Sequence, residues 1–281
     1  MKRGNLAVDK NMLRELAASF VAQAPGNVIT DKSAINREVA GLRLFSEPVL
    51  GFASAKDPVF SRLQDEGIVG PHFATPDSWV QGARSVISFF LPFSETVRSG
   101  NASVAYWPSA EWLHARYEGQ MLVNALAAHI CESLKSQGYE SLVPSSDVRF
   151  FSRGKSSADE VPAFTSNWSE RHVAYVCGLG TFGLSKGLIT RHGVAGRFGS
   201  VVTALELEPD TRPYTRYDEY CSLCGDCVVN CPVGAITLEA GKDHLICSEF
   251  LDEVRARFSP RYGCGKCQVG VACESAAPPR H

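Results

Sequence analysis

Ten cysteines punctuate the 281-residue chain, and eight of them fall in its last quarter: Cys221, Cys224, Cys227, Cys231, Cys247, Cys264, Cys267 and Cys273. The first four form a C-x2-C-x2-C-x3-C-P run ending in Cys231-Pro232. In such a run three thiolates wrap one corner of an iron-sulfur cubane, and the fourth serves a second cluster. Two [4Fe-4S] clusters therefore need four more thiolates, the number the sequence supplies. The ferredoxin rule assigns Cys221, Cys224, Cys227 and Cys273 to cluster one. Cluster two takes Cys231, Cys247, Cys264 and Cys267. The competing reading is a pair of zinc sites, because Cys221-x-x-Cys224 with Cys264-x-x-Cys267 also suits tetrahedral zinc. Zinc requires neither the third cysteine of the run nor its proline. Disulfides fit less well, since thiols in this spacing without an export signal read as metal ligands.

The rest of the chain must position that module. At 44% hydrophobic and 21% charged it has globular composition, and a net charge of -2 supplies no broad basic field for nucleic acid. The N-terminus carries no signal-peptide core, and the longest apolar run, Val86 to Phe93, is far too short for a bilayer span. These features predict a cytoplasmic protein with no membrane partner. Met12, Leu13, Leu16 and Phe20 predict an amphipathic helix over 8–23, ended by Pro25-Gly26. Residues 48–52 read as a short strand and 84–91 as one buried on both faces, which calls for flanking helices. Leu122, Leu126, Ile130 and Leu134 mark a long helix between Glu111 and Gln137, stopped at Gly138. Residues 201–207 return to strand character, and 208–220 read as the linker into the cysteine module.

Gly178-Leu179-Gly180-Thr181-Phe182-Gly183 matches a dinucleotide fingerprint, with Val173 to Val176 as its strand. A fingerprint must open a helix, and Leu184 to Thr190 is too short and glycine-broken to be one. A nicotinamide- or flavin-linked enzyme rests on this segment alone. The glycines are otherwise a structural turn, or a place where backbone approaches something flat or crowded.

The Gly-Ala-Arg-Ser-Val-Ile segment at 82–87, the Gly178-Leu179-Gly180 turn, Gly193-x-x-Gly196-Arg197-Phe198 and the cysteine pattern together resemble the epoxyqueuosine reductase and reductive dehalogenase superfamily. The resemblance runs from about residue 45 to the end. It implies an α/β (α+β) chain: an N-terminal helical segment (1–44), a nitroreductase-like α/β reductase domain (45–213) and a ferredoxin-like domain with two [4Fe-4S] clusters (214–281). It further implies a corrinoid (cobalamin) lined by Gly178, Leu179, Gly180, Gly183, Gly196 and Arg197. The clusters would relay low-potential electrons from a ferredoxin- or flavodoxin-type donor to cobalt, while the protein supplies orientation and a proton. The substrate would be a small organic molecule.

The chain departs from the family pattern in three places. Aligned without gaps on Gly178, the family's proton-donating acid falls at Phe164, whereas Glu170-Arg171 matches the charged pair that follows it. Glu170, Asp159 and Glu160 are the remaining candidate acids, each also readable as a solvated loop charge. Cys267-x5-Cys273-Glu274 replaces the family's shorter, proline-terminated spacing. The helical-repeat extension by which epoxyqueuosine reductases hold tRNA does not follow residue 281, so a tRNA substrate is not expected. His172, His192 and Cys177 could face a cofactor or simply pack. Tyr106, Trp107, Trp168 and Tyr175 could stack on a macrocycle or belong to the core. The alternative function is an electron-transfer protein or corrinoid-protein activator with no substrate pocket of its own.

Overall fold

The computed structural model describes residues 8–155 and 161–279. Helix α1 (Lys10–Gln23) starts where the Asp9 carboxylate accepts a hydrogen bond from the Met12 amide, and it buries Leu13, Ala17 and Val21. Strand β1 (Val49–Ser54) is followed by two short helices, α2 (Pro58–Arg62) and α3 (Pro76–Trp79), each opened by a proline. Strand β2 (Ser85–Pro92) is buried along its whole length. Ile87, Phe89 and Leu91 point into one core, with α1 and the long helix, while Val86 and Phe90 point into cores on the other face. That alternation is the two-residue period of a strand covered on both sides.

Helix α4 (Glu95–Ala102) leads into α5 (Ala110–Ser136), whose N-terminus is capped by the Ser109 hydroxyl on the Trp112 amide. Its C-terminus closes with Gly138 N–H on the Lys135 carbonyl and Tyr139 N–H on that of Leu134, a glycine stop with positive φ. Strand β3 (Ser141–Leu142) follows.

Helix α6 (Glu170–Val176) occupies the segment that sequence reading gave to a strand. A short apolar run such as Val173 to Val176 cannot be told from a buried helical turn by periodicity. Here Val173, Ala174 and Val176 pack under the sheet, and Gly51 allows the close approach: a Cβ there would lie 2.4 Å from the Cys177 carbonyl oxygen. Gly178, at φ +82°, ends α6, with its amide on the Tyr175 carbonyl and the Leu179 amide on that of Ala174. The glycines therefore follow a helix and open a hairpin, β4 (Gly180–Phe182) with β5 (Leu188–Thr190). A dinucleotide fingerprint needs the opposite order.

Strand β6 (Gly196–Thr203) begins five residues before the expected 201 and includes the Gly196-Arg197-Phe198 segment. It completes an antiparallel sheet of order β1-β2-β6-β3. The expected linker, 208–220, is fastened to the sheet. Asp210 takes hydrogen bonds from Lys10 Nζ and the Phe52 amide, Arg212 donates to Asp57 and the Val176 carbonyl, and Tyr214 donates to the Tyr175 carbonyl.

The cysteine-rich segment then forms α7 (Asp226–Val229), a small hairpin of β7 (Ile236–Thr237) with β8 (Gly241–Lys242), and α8 (His244–Phe258), capped by Asp243. Among the described residues no helix is long and apolar enough to cross a membrane.

Candidate iron-sulfur centre

Cys221, Cys224, Cys227 and Cys273 line one recess together with Gly183 and Ile189 of the β4–β5 hairpin. The loop that carries the first two turns through Leu223 and Gly225, both at positive φ. Burial pushes the Cys273 thiol up to about 12, with Cys221, Cys227 and Cys224 as the neighbours that raise it further. Cys227 is likewise raised to about 11, by burial and then by Cys267, Cys221 and Cys224.

The other four thiols form a second set beside it, with Cys267 adjoining Cys227. Burial raises Cys247, whose thiol neighbours are Cys267 and Cys231. It also raises Cys264 to about 12, with Cys267 and Cys247 nearby. Thiols clustered this way cannot ionise together without a compensating cation; a bound metal centre supplies that charge and releases the protons. Among the described residues no three His, Cys, Asp or Glu side chains converge on a point that would hold a single ion.

The module is locked to α4 and α5. Lys266, 4% exposed, donates from Nζ to the carbonyls of Asn101 (2.6 Å) and Val104, and the Asn101 amide donates to the Cys264 carbonyl at 3.0 Å. Gly265 lies flat on Trp112, where a Cβ would stand 1.9 Å from the ring. Trp107 stacks on Phe250 of α8, with Tyr106 edge-on to both. Neither Lys266 nor Asn101 was among the residues singled out from sequence. A lysine within the Cys264-x-x-Cys267 pair was a visible signal; nothing marked Asn101.

The residues assigned to a corrinoid lie close to the chain's own atoms. A Cβ on Gly178 would meet the Thr211 carbonyl at 3.5 Å, one on Gly180 the Ile189 backbone, one on Gly196 the Phe90 ring and Leu91 backbone, and one on Gly183 the Ile189 side chain. A Cβ on Gly183 would also stand 3.8 Å from Cys221 Sγ. Leu179 is buried with Phe90 and Leu188, and Arg197 is half-buried on β6 opposite Leu91. The four aromatic candidates do not share a face: Trp168 is buried and donates to Ser200 Oγ, and Tyr175 packs on Tyr214.

Of the candidate acids, Asp159 and Glu160 lie outside the described residues. Glu170 has both carboxyl oxygens sealed from solvent. Burial pushes its pKa up to about 7; the Ser200 and Ser145 hydroxyls pull it partly back without making a well-directed hydrogen bond. His172 contacts Ser169 Oγ and Phe182 and is held down at about 4 by burial and then by Arg171. His192 is exposed, and Cys177 is fully buried with its thiol pKa raised by burial. Phe164 adopts φ +58° and lies 5.5 Å, ring to ring, from His244.

Comparison with known proteins agrees with the cysteine chemistry. Residues 214–237 match the 4Fe-4S binding domain. Epoxyqueuosine reductase of Listeria monocytogenes serovar 1/2a (strain ATCC BAA-679 / EGD-e) is 30% identical over 115 residues, 37% of this chain and 29% of that enzyme. An epoxyqueuosine reductase solved with an epoxyqueuosine-modified tRNA-Tyr stem loop shares 19% identity over 83% of this chain and 63% of its own, at a TM-score of 0.49. A catabolic reductive dehalogenase shares 14% over 82% of this chain and 30% of its own, at 0.48. The similarity thus spans less than a third of the Listeria enzyme. The class defined by the fold and the matched domain is an iron-sulfur protein with a mixed α/β domain and a C-terminal 4Fe-4S module. Within that class the chain is similar, over 115 residues, to an epoxyqueuosine reductase.

Proposed function

We propose that this chain is a cytoplasmic iron-sulfur reductase that carries two [4Fe-4S] clusters and delivers low-potential electrons to a small organic substrate. Cys221, Cys224, Cys227 and Cys273 hold one cluster; Cys231, Cys247, Cys264 and Cys267 hold the other. The observation that carries the reading is the grouping of the thiols: each set has its own members as neighbours, and Cys227 and Cys267 adjoin across the sets. Adjacent clusters can pass electrons inward from a ferredoxin- or flavodoxin-type donor. Thiolate ligation with burial and hydrogen bonding sets their potentials low.

The corrinoid implied by the resemblance would supply cobalt as electron acceptor. A Cβ on Gly180, Gly183 or Gly196 would meet packed protein, which accounts for these glycines without a macrocycle. That observation, with Phe164 in place of an acid, favours a second reading: an electron-transfer protein or corrinoid-protein activator.

Anaerobic reconstitution followed by cob(II)alamin titration separates the two. Reduction of added substrate with a cobalamin-dependent spectral change supports a corrinoid reductase. No spectral change at saturating cobalamin removes the corrinoid, and a stable complex with a corrinoid protein then supports the activator. An epoxyqueuosine-bearing tRNA stem loop belongs in the same assay, because its reduction would overturn the small-molecule substrate.

A further inference from the structure

At the β1 edge of the four-stranded sheet lies a cavity of about 550 Å3 that shares no lining residue with the cysteine-lined recess. Pro48, Val49 and Leu50, where the chain enters β1, make its apolar side with Pro92 at the end of β2. Arg14 of α1 and Arg98 of α4 line it from separate helices, and His192 from the loop after β5. That volume is in the range of small-molecule sites, which combine an apolar lining with a few placed polar groups.

Both guanidiniums are held in place by the protein. Arg98 donates from Nη1 to the Phe93 carbonyl at 3.2 Å, and its Nε lies 3.2 Å from Glu274 Oε1, which leaves Nη2 without a hydrogen bond among the described residues. Ser275, the residue after Glu274, joins His192 at this end of the cavity. Arg14 lies over the Phe52 ring at 5.1 Å and 3.6 Å from Asp210, a carboxylate that Lys10 already engages. The strand edge adds a further donor. Phe52 turns its amide and carbonyl away from β2, toward Asp210, and Leu50, two residues earlier, turns its own to the same uncovered edge. The one acid in the lining, Glu47, is exposed and free of salt bridges among the described residues, so it can turn to solvent.

Register fixes how far apart the two cationic ends are. Phe52 pairs with Ile87, and Phe93 lies six residues further along, about 20 Å at the rise of a strand. A single small anion cannot touch both guanidiniums; an extended molecule with an acid at each end can. Guanidinium forks are the donors that carboxylates accept, and the apolar strand between them takes a hydrocarbon middle. We propose that this cavity binds an elongated dicarboxylic acid, one carboxylate on Arg98, the other on Arg14, and the chain between them along Pro48, Val49 and Leu50. The site goes beyond the reductase reading, because binding here needs neither a cluster nor turnover.

The test is isothermal titration of the full chain, reconstituted with iron, with the linear diacid suberate, at constant ionic strength in chloride and with iron determined on each sample. Saturable binding of about one suberate per chain is expected. Octanoate, which replaces one carboxylate by a methyl group, and succinate, which is too short to span the ends, each bind at least about tenfold more weakly. Arg98→Met and Arg14→Met each weaken suberate by at least about the same factor. Lys135→Met, in the last turn of α5 and outside the lining, leaves it unchanged. Because Arg98 also pairs with Glu274, Arg14→Met provides the readout if Arg98→Met does not fold. Equal affinity for suberate and octanoate, or for suberate and succinate, overturns the site. So does wild-type affinity in a folded arginine variant, or no saturable binding of suberate at all. Failure to take up iron with suberate binding retained would count against the proposed function and leave this site standing.

Discussion

Glu170 offers the most quantitative check on the structure. Its carboxyl is sealed between α6, Ser145 and Ser200, and its pKa rises from the ordinary 4.5 to about 7, chiefly through burial. The folded state therefore binds this proton more tightly than the unfolded chain. The stability it contributes is fully present below pH 4.5 and is lost as pH rises through about 7. At 1.36 kcal/mol per pKa unit the whole loss is about 3 kcal/mol, of which about 1.4 kcal/mol falls between pH 6 and pH 8.5. Glu170→Gln removes the titration. His172 works in the opposite sense, since its pKa lies at about 4: its contribution is present above 6.5 and lost as pH falls through about 4. It is common to both proteins and drops out of their difference. Thermal unfolding of anaerobic wild type and Glu170→Gln at the two pH values should show the variant gaining about 1.4 kcal/mol, or roughly 3 to 5 °C, on going to the higher pH. A wild-type-to-variant difference that does not change with pH would refute the buried, protonated carboxyl.

Three further outcomes follow from the cysteine module. Cys273→Ser should roughly halve the iron bound per chain, and Cys247→Ser should do the same through the other set; loss of all iron in both would mean that the sets are not separate sites. Lys266→Met strips a buried ammonium from the Asn101 and Val104 carbonyls and should cost about 2 to 3 kcal/mol in urea unfolding, where an unchanged midpoint would show the latch to be idle. Gly265→Ala forces a methyl into the Trp112 ring at φ +70° and should cost more than about 3 kcal/mol, measured by the same unfolding; wild-type stability would contradict the close packing there.

The cysteine chemistry was legible because ligand spacing is local: a loop of three thiols is written in consecutive residues. Helix α5 and strand β2 were legible for related reasons, one through its four-residue recurrence of leucine and isoleucine, the other through an unbroken apolar run. Helix α6 was not, because seven residues are too few to display a period and its glycines imitate a strand-turn motif. The expected linker hid its anchoring, since Asp210, Arg212 and Tyr214 act on partners up to 200 residues away.

Metal analysis of protein purified and reconstituted without oxygen bears most directly on the two-cluster account. Eight cysteines in two quartets predict about eight irons with matching acid-labile sulfide per chain, and a spectrum bleached by a low-potential reductant. Zinc at one or two per chain, with no sulfide, would contradict it.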